Sequence, residues 1–158
     1  MSIMHSLILV EDRPRWSLPI PPAIMPHSVE QEKIMSREKL KEIADQLVGH
    51  CRNGTEEKGL KELYAKDVES IEAITMPGSD SPKTTGVDGI RGKHEWWNNT
   101  FEVHSSEVEG PFLHGEDRFS VIFNIDATNK ESSERMSMKE VAVYTVSNGK
   151  IIREEFYY

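Results

Sequence analysis

The sequence has few cysteines, few bases and no long apolar run. It holds a single cysteine, Cys51, among 158 residues, which excludes an internal disulfide and any metal site built on cysteines. Its bases are outnumbered: 19 Lys and Arg against 27 Asp and Glu leave a net charge of −8. A phosphate-binding surface needs clustered Lys and Arg, so no nucleic-acid partner is expected. No apolar stretch approaches the ~20 residues of a membrane span, so no membrane partner is expected and a cytoplasmic location fits. Proline is also scarce after the first stretch: Pro14, Pro19, Pro21, Pro22 and Pro26 are five of the chain's eight. What remains is ordinary for a globular protein, with 37% hydrophobic and 29% charged residues, enough for one domain around one core.

The prolines divide the chain. Residues 1–35 read as a Pro-rich N-terminal arm, since each proline lacks an N–H and restricts its neighbour. The apolar run Ile3–Val10 is interrupted by His5 and has no small-residue cleavage site after it, so it is not a signal peptide. Residues 36–158 read as one α+β domain. Ser36 suits a helix N-cap, and Leu40, Ile43, Ala44, Leu47, Val48 and Cys51 recur at helical spacing. Asn53-Gly54 ends that helix, and Thr55 can cap a second with Leu60, Leu63 and Tyr64 inward.

The period then changes. Val68, Ser70, Glu72 and Ile74 alternate with their neighbours as a strand does. Met76–Gly86 is a loop. Val87, Ile90, His94, Trp97 and Phe101 share one face of a third helix, although Gly89 and Gly92 weaken it. Strands follow over Phe101–Glu109, Asp117–Thr128, Arg135–Val146 and Lys150–Tyr158, the first broken by Gly110-Pro111 and the last two joined by a turn at Ser147-Asn148-Gly149. Helices segregated from an antiparallel sheet define an α+β domain. A sheet of this size is expected to curl over the helices and leave a pocket at its open end.

Particular stretches carry a family resemblance. Leu63-Tyr64-Ala65-Lys66-Asp67-Val68 leads into a strand, Gly86-Val87-Asp88-Gly89-Ile90-Arg91-Gly92 opens a helix, and Val141–Val146 with Asn148-Gly149-Lys150-Ile151 leads into Arg153-Glu154-Glu155-Phe156-Tyr157-Tyr158. This pattern resembles the SnoaL-like branch of the nuclear transport factor 2-like superfamily, to which ketosteroid isomerases and polyketide cyclases belong. The resemblance covers residues 36–158. It implies a cone of curved antiparallel sheet wrapped over three N-terminal helices, but fold alone does not fix function.

By resemblance Glu72 stands where the isomerases keep the base that moves the proton, although their residue is Asp followed closely by Pro, and Ala73-Ile74-Thr75 follows here. Turned inward among Val68 and Ile74, its carboxylate would be desolvated and suited to acid–base work. The alternative is a solvated or salt-bridged strand-end glutamate. Glu140, between Met138 and Ala142 on one strand face, lies near the isomerases' protonated acid, an oxyanion donor. Its alternative is an outward glutamate paired with Lys139 or Arg153. Tyr144, Tyr157 and Tyr158 offer phenol donors, with half-buried packing as the alternative.

Trp97, Phe101, His94, Phe123 and Tyr158 are candidate walls of a ligand pocket. Trp97 rather than Trp96 is expected to face inward, because adjacent helical positions point apart. His94 is equally read as a core histidine bonded to backbone. His94-Glu95-Trp96-Trp97-Asn98 lacks the second histidine of a zinc-protease motif, and the glycines at 86, 89 and 92 sit in no βαβ unit, so neither a metal nor a dinucleotide is expected. The resemblance implies an isomerase or cyclase of this kind, needing no cofactor and acting on a small hydrophobic carbonyl compound. The alternatives are a non-catalytic binder of a small hydrophobic ligand and a dimeric assembly domain. A homodimer through the sheet is expected, since Ile122, Val141 and Val143 add apolar residues to the second face.

Overall fold

In the computed structural model, residues 27–158 are described, with side chains from Arg37 onward; residues 1–26 of the expected arm lie outside the described residues, and residues 27–35 belong to the first helix instead. The first helix, α1, spans His27–Asn53. It starts upstream of Ser36, the expected cap, because no proline or glycine interrupts residues 27–48. Its apolar stripe is the one that spacing predicts: Leu40, Ile43, Ala44, Leu47 and Val48 are all buried. Lys39–Glu42 and Lys41–Asp45 pairs decorate the opposite face. Helix α2 spans Glu56–Leu63 and turns Leu60 and Leu63 inward. Thr55 precedes it without a side-chain capping bond; its hydroxyl meets His50 Nδ1 at 2.8 Å instead.

Strand β1 covers Tyr64–Ile71, and a three-residue strand β2, Lys83–Thr85, lies within the stretch expected to be loop. Helix α3 covers Val87–Thr100. Strands β3 (Phe101–His114), β4 (Arg118–Asn129), β5 (Arg135–Ser147) and β6 (Lys150–Tyr157) complete one sheet in the order β2-β1-β6-β5-β4-β3. One expectation changes: the sheet is mixed rather than wholly antiparallel, because β1 runs parallel to β6. Helix α3 follows β1, as the order of periods in the sequence predicts. Gly110-Pro111 also does not break β3. The register against β4 shifts between Glu109 and Phe112, and Gly110 adopts φ +118°, so a bulge carries the strand past the proline.

The core lies between the helices and the concave face of the sheet. Phe119, Val121, Ala142 and Ile151 are fully buried opposite the α1 stripe. Ile90 anchors α3 against them, also with no exposure. The two glycines of α3 differ in kind. A Cβ on Gly89 would come within 2.6 Å of Thr84 Cγ2, whereas one on Gly92 meets nothing. Gly92→Ala is therefore expected to stabilise the protein by about 0.5–1 kcal/mol through helix propensity. Gly89→Ala is expected to lose that gain to the collision with β2. Chemical unfolding of the two variants checks the contrast, and equal gains would contradict it.

Candidate functional site

The strand order places three strand ends side by side. β6 lies between β1 and β5, with Ile71 opposite Glu155 and Val141 opposite Tyr157. The residues just beyond these pairs converge: Glu72 after β1, Tyr158 after β6 and Glu140 in β5. In β5, Glu140 alternates with buried Ala142 and Tyr144 and so faces the concave side, directly across from Phe123 of β4. Glu72 likewise continues the inward series of Val68 and Ser70, its backbone N–H donating to Pro82 O at 2.9 Å.

Side chains from α3 and β6 complete the cluster. Lys93 forms an ion pair with Glu72, whose side chain is only 11% exposed. The same ammonium donates to Ser70 Oγ at 2.6 Å and stands 4.8 Å over the Phe156 ring. The Ser70 hydroxyl donates to Glu154 Oε1 at 2.7 Å, and the Tyr64 hydroxyl donates to Glu154 Oε2 at 2.9 Å. Glu154 is 3% exposed, so its charge is buried but satisfied on both oxygens. At the outer end the Tyr158 hydroxyl donates to Glu72 Oε2 at 3.4 Å.

Glu140 differs from its neighbours. It forms no hydrogen bond or ion pair among the described residues. Burial first, and then the facing charge of Glu72, push its carboxyl up to about 7. Lys93 pulls against that rise, and Glu154 adds to it. At neutral pH Glu140 is therefore poised between acid and base, which is where proton transfer is most efficient. The deeper phenols do not share this poise: burial and then the Glu154 charge hold Tyr64 and Tyr144 well above the ordinary phenol value. Tyr158 is raised too, by burial and then by Glu72.

Residues 38–158 match the SnoaL-like domain model. The chain belongs to the SnoaL-like family. A Mesorhizobium loti structure, provisionally described as a SnoaL-like polyketide cyclase with carbohydrate phosphatase in brackets, is 38% identical and superposes with a TM-score of 0.69. That match covers 75% of this chain and 98% of the other. A Xanthomonas campestris protein, provisionally described as a polyketide cyclase, has 15% identity, a TM-score of 0.56 and coverage of 78% of this chain and 92% of its own. A Mycobacterium tuberculosis protein in complex with estradiol-17β-hemisuccinate has 17% identity, a TM-score of 0.58 and coverage of 73% and 91%. These last two show the shared fold alone. No curated protein matches the sequence.

The SnoaL-like domain brings some of the candidate residues together and keeps others apart. Glu72, Glu140 and Tyr158 meet. Glu72 is both inward and salt-bridged, so the two readings of it are not exclusive. Glu140 has neither of its expected partners: Arg153 turns instead to Glu69 and Glu155. Tyr144 lies deeper, stacked on Phe119 at 4.9 Å in the core. Trp97 is the more buried tryptophan and stacks on Phe101 at 4.4 Å, while Trp96 is 38% exposed. His94 is half-buried; burial lowers its pKa against the opposing pull of Glu154, which favours the neutral ring. Ile74, expected inward, is exposed beyond the end of β1, and Tyr157 is exposed on the outer face.

Lys93, Ser70, Tyr64 and Glu154 escaped sequence reasoning. Lys93 had a signal, since it falls three residues after Ile90 and four before Trp97 on the apolar face of α3. Glu154 had a weaker one, alternating with Phe156. A cavity of about 260 Å³ lies at the other end of the sheet, bounded by Lys39, Leu40, Val146 and the β5–β6 turn, and none of the candidate residues lines it. Among the described residues no helix is long and apolar enough to cross a membrane.

Proposed function

We propose that this SnoaL-like protein is an isomerase or cyclase that moves a proton next to the carbonyl of a small hydrophobic compound, with Glu72 and Glu140 as its acid/base pair. The observation that carries this reading is the Glu140 carboxyl. It is half-buried, unpartnered among the described residues, raised to about 7 and turned toward a charged glutamate. Glu72 takes the proton from carbon, and neutral Glu140 donates a hydrogen bond to the oxygen as negative charge develops there. Phe123, Trp97 and Phe101 supply apolar surface for the hydrocarbon part. Acid–base enolisation of this kind draws on no cofactor.

Hydrogen–deuterium exchange at the α-carbon of a panel of hydrophobic ketones, followed by NMR in D₂O, tests this proposal. Exchange above the solvent background that disappears in Glu72→Gln and falls in Glu140→Gln, whose amide is a weaker donor, is the expected result. Ketones that bind without exchange would favour the second reading, a non-catalytic ligand binder. One observation favours that second reading: both Glu72 oxygens already have donors, Lys93 on one and Tyr158 on the other, so a substrate proton has to compete for them.

The partner proposed for the outer face is a second copy of the chain. Ile122, Val141 and Tyr157 form one outward row across β4, β5 and β6, with Val143 and Phe112 beside it. Glu109, Lys139 and Glu155 flank the patch, so a two-fold apposition can pair opposite charges around an apolar centre. A dimer mass at micromolar concentration by light scattering is expected, and a monomer mass would overturn it.

A further inference from the structure

The hydrogen bonds of the cluster have only one consistent direction. Tyr64 and Ser70 occupy both oxygens of Glu154 with their single hydroxyl protons. Ser70 has no proton left for Lys93, so at 2.6 Å its oxygen must accept from the ammonium. Lys93 is thereby oriented as a donor, with a second proton directed to Glu72 and the Phe156 ring beneath it. Glu72 also accepts from Tyr158. A charged lysine is thus built into the site by an anchor that itself touches neither Glu72 nor Glu140.

We propose that Lys93 is a positioning residue for the acid/base pair: its ammonium, aimed by the Glu154–Ser70 anchor, holds Glu72 as the charged member and leaves the proton on Glu140. This rests on the reading of Glu72 and Glu140 as that pair. Two carboxyls that face each other in a partly dry site share one proton unless something distinguishes them. Lys93 distinguishes them because its ammonium is in direct contact with Glu72 and acts on Glu140 only through its charge, which is outweighed there by that of Glu72. The groups that bear on the pair are Lys93 of α3, Glu154 and Tyr158 of the β6 side and Tyr144 of β5; Ser70 of β1 and His94 of α3 act on Lys93, and Tyr64 on Glu154. Other charges packed around α3 are engaged elsewhere: Glu57 of α2 pairs with Arg91, and Lys83 of β2 pairs with Glu69.

The test is a carboxyl ¹³C NMR titration of the full chain as wild type, Lys93→Met and Lys93→Arg, with the Glu72 and Glu140 resonances assigned. In wild type, Glu140 is expected to titrate alone near neutral pH. In Lys93→Met the two resonances are expected to titrate together over the neutral range, with the Glu140 midpoint displaced by about one unit, the scale of a coupled pair. Lys93→Arg is expected to restore separate titrations. Unchanged curves in Lys93→Met would overturn the assignment. If that variant does not fold, Lys93→Gln keeps a donor for Ser70 while removing the charge and carries the same comparison. Coupling as expected in a protein that exchanges no ketone proton would overturn the isomerase reading and leave the role of Lys93 standing.

Discussion

Glu140→Gln is expected to lower proton-transfer activity by about 10-fold, because an amide N–H is a poorer donor to a developing oxyanion than a neutral carboxyl, and, at the same time, to stabilise the fold above neutral pH. Both effects come from one carboxyl. In the unfolded chain Glu140 ionises near its ordinary value of 4.5; in the folded protein burial and the Glu72 charge raise it to about 7. Below the unfolded value both states hold the proton, and the group costs folding nothing. As pH rises between those values the unfolded chain releases the proton first, so stability is progressively lost, and the loss levels off above about 7. The shift sets an upper limit on the order of 3 kcal/mol, and contact with solvent reduces it to about 1–3 kcal/mol. Glutamine is neutral throughout and escapes the penalty. Urea unfolding should therefore show the variant close to wild type at pH 4 and more stable at pH 8. A variant that is weaker at pH 8, or a difference that does not change with pH, would show that Glu140 is not a desolvated carboxyl.

The parts of this fold governed by local period were legible in the sequence. The α1 stripe from Leu40 to Val48, the inward face of α3 and the alternation of Phe119, Val121 and Phe123 follow from side-chain geometry alone. The parts governed by distant pairing were not. Nothing local distinguishes a β1 that runs parallel to β6 from one that pairs with a hairpin neighbour, because the partner lies more than 80 residues away. The β3 bulge depends on β4 continuing the pairing past Pro111.

The candidate site divides in the same way. Glu72 and Glu140 came from resemblance to the isomerases, and period supported only the face on which each stands. Lys93 and Glu154 are of residue types almost never buried unless paired, so period alone does not place them in a site. Glu154 meets Tyr64 and Ser70 only when β6 pairs with β1, and Lys93 meets Glu72 and Ser70 only when α3 packs on β1. The site's acids were therefore visible before its cation, although the cation determines which acid carries the proton.

Glu154→Ala is expected to be among the most destabilising single changes in the cluster, costing about 3–5 kcal/mol. The glutamate is 3% exposed and accepts from Tyr64 and Ser70. Truncation would leave both hydroxyl protons without an acceptor and open a cavity beside them. It would also remove the bond that fixes the Ser70 hydroxyl, so the aim of the ammonium loosens. Glu154→Gln retains one acceptor oxygen but sets an NH₂ against the other hydroxyl, so a loss of about 1–2 kcal/mol is expected. Tyr64→Phe removes a single donor and leaves one oxygen of the buried carboxylate unsatisfied, which should cost about 1.5–3 kcal/mol. A loss in all three variants, largest for Ala, separates a hydrogen-bonded anchor from a merely tolerated buried charge. Replacing a tolerated charge with a neutral isostere relieves desolvation, so Glu154→Gln would then equal or exceed wild type in stability. Unfolding free energies of the three variants at pH 7 decide between these cases. An alanine variant within about 1 kcal/mol of wild type would remove Glu154 as the anchor on which Ser70 and Lys93 depend.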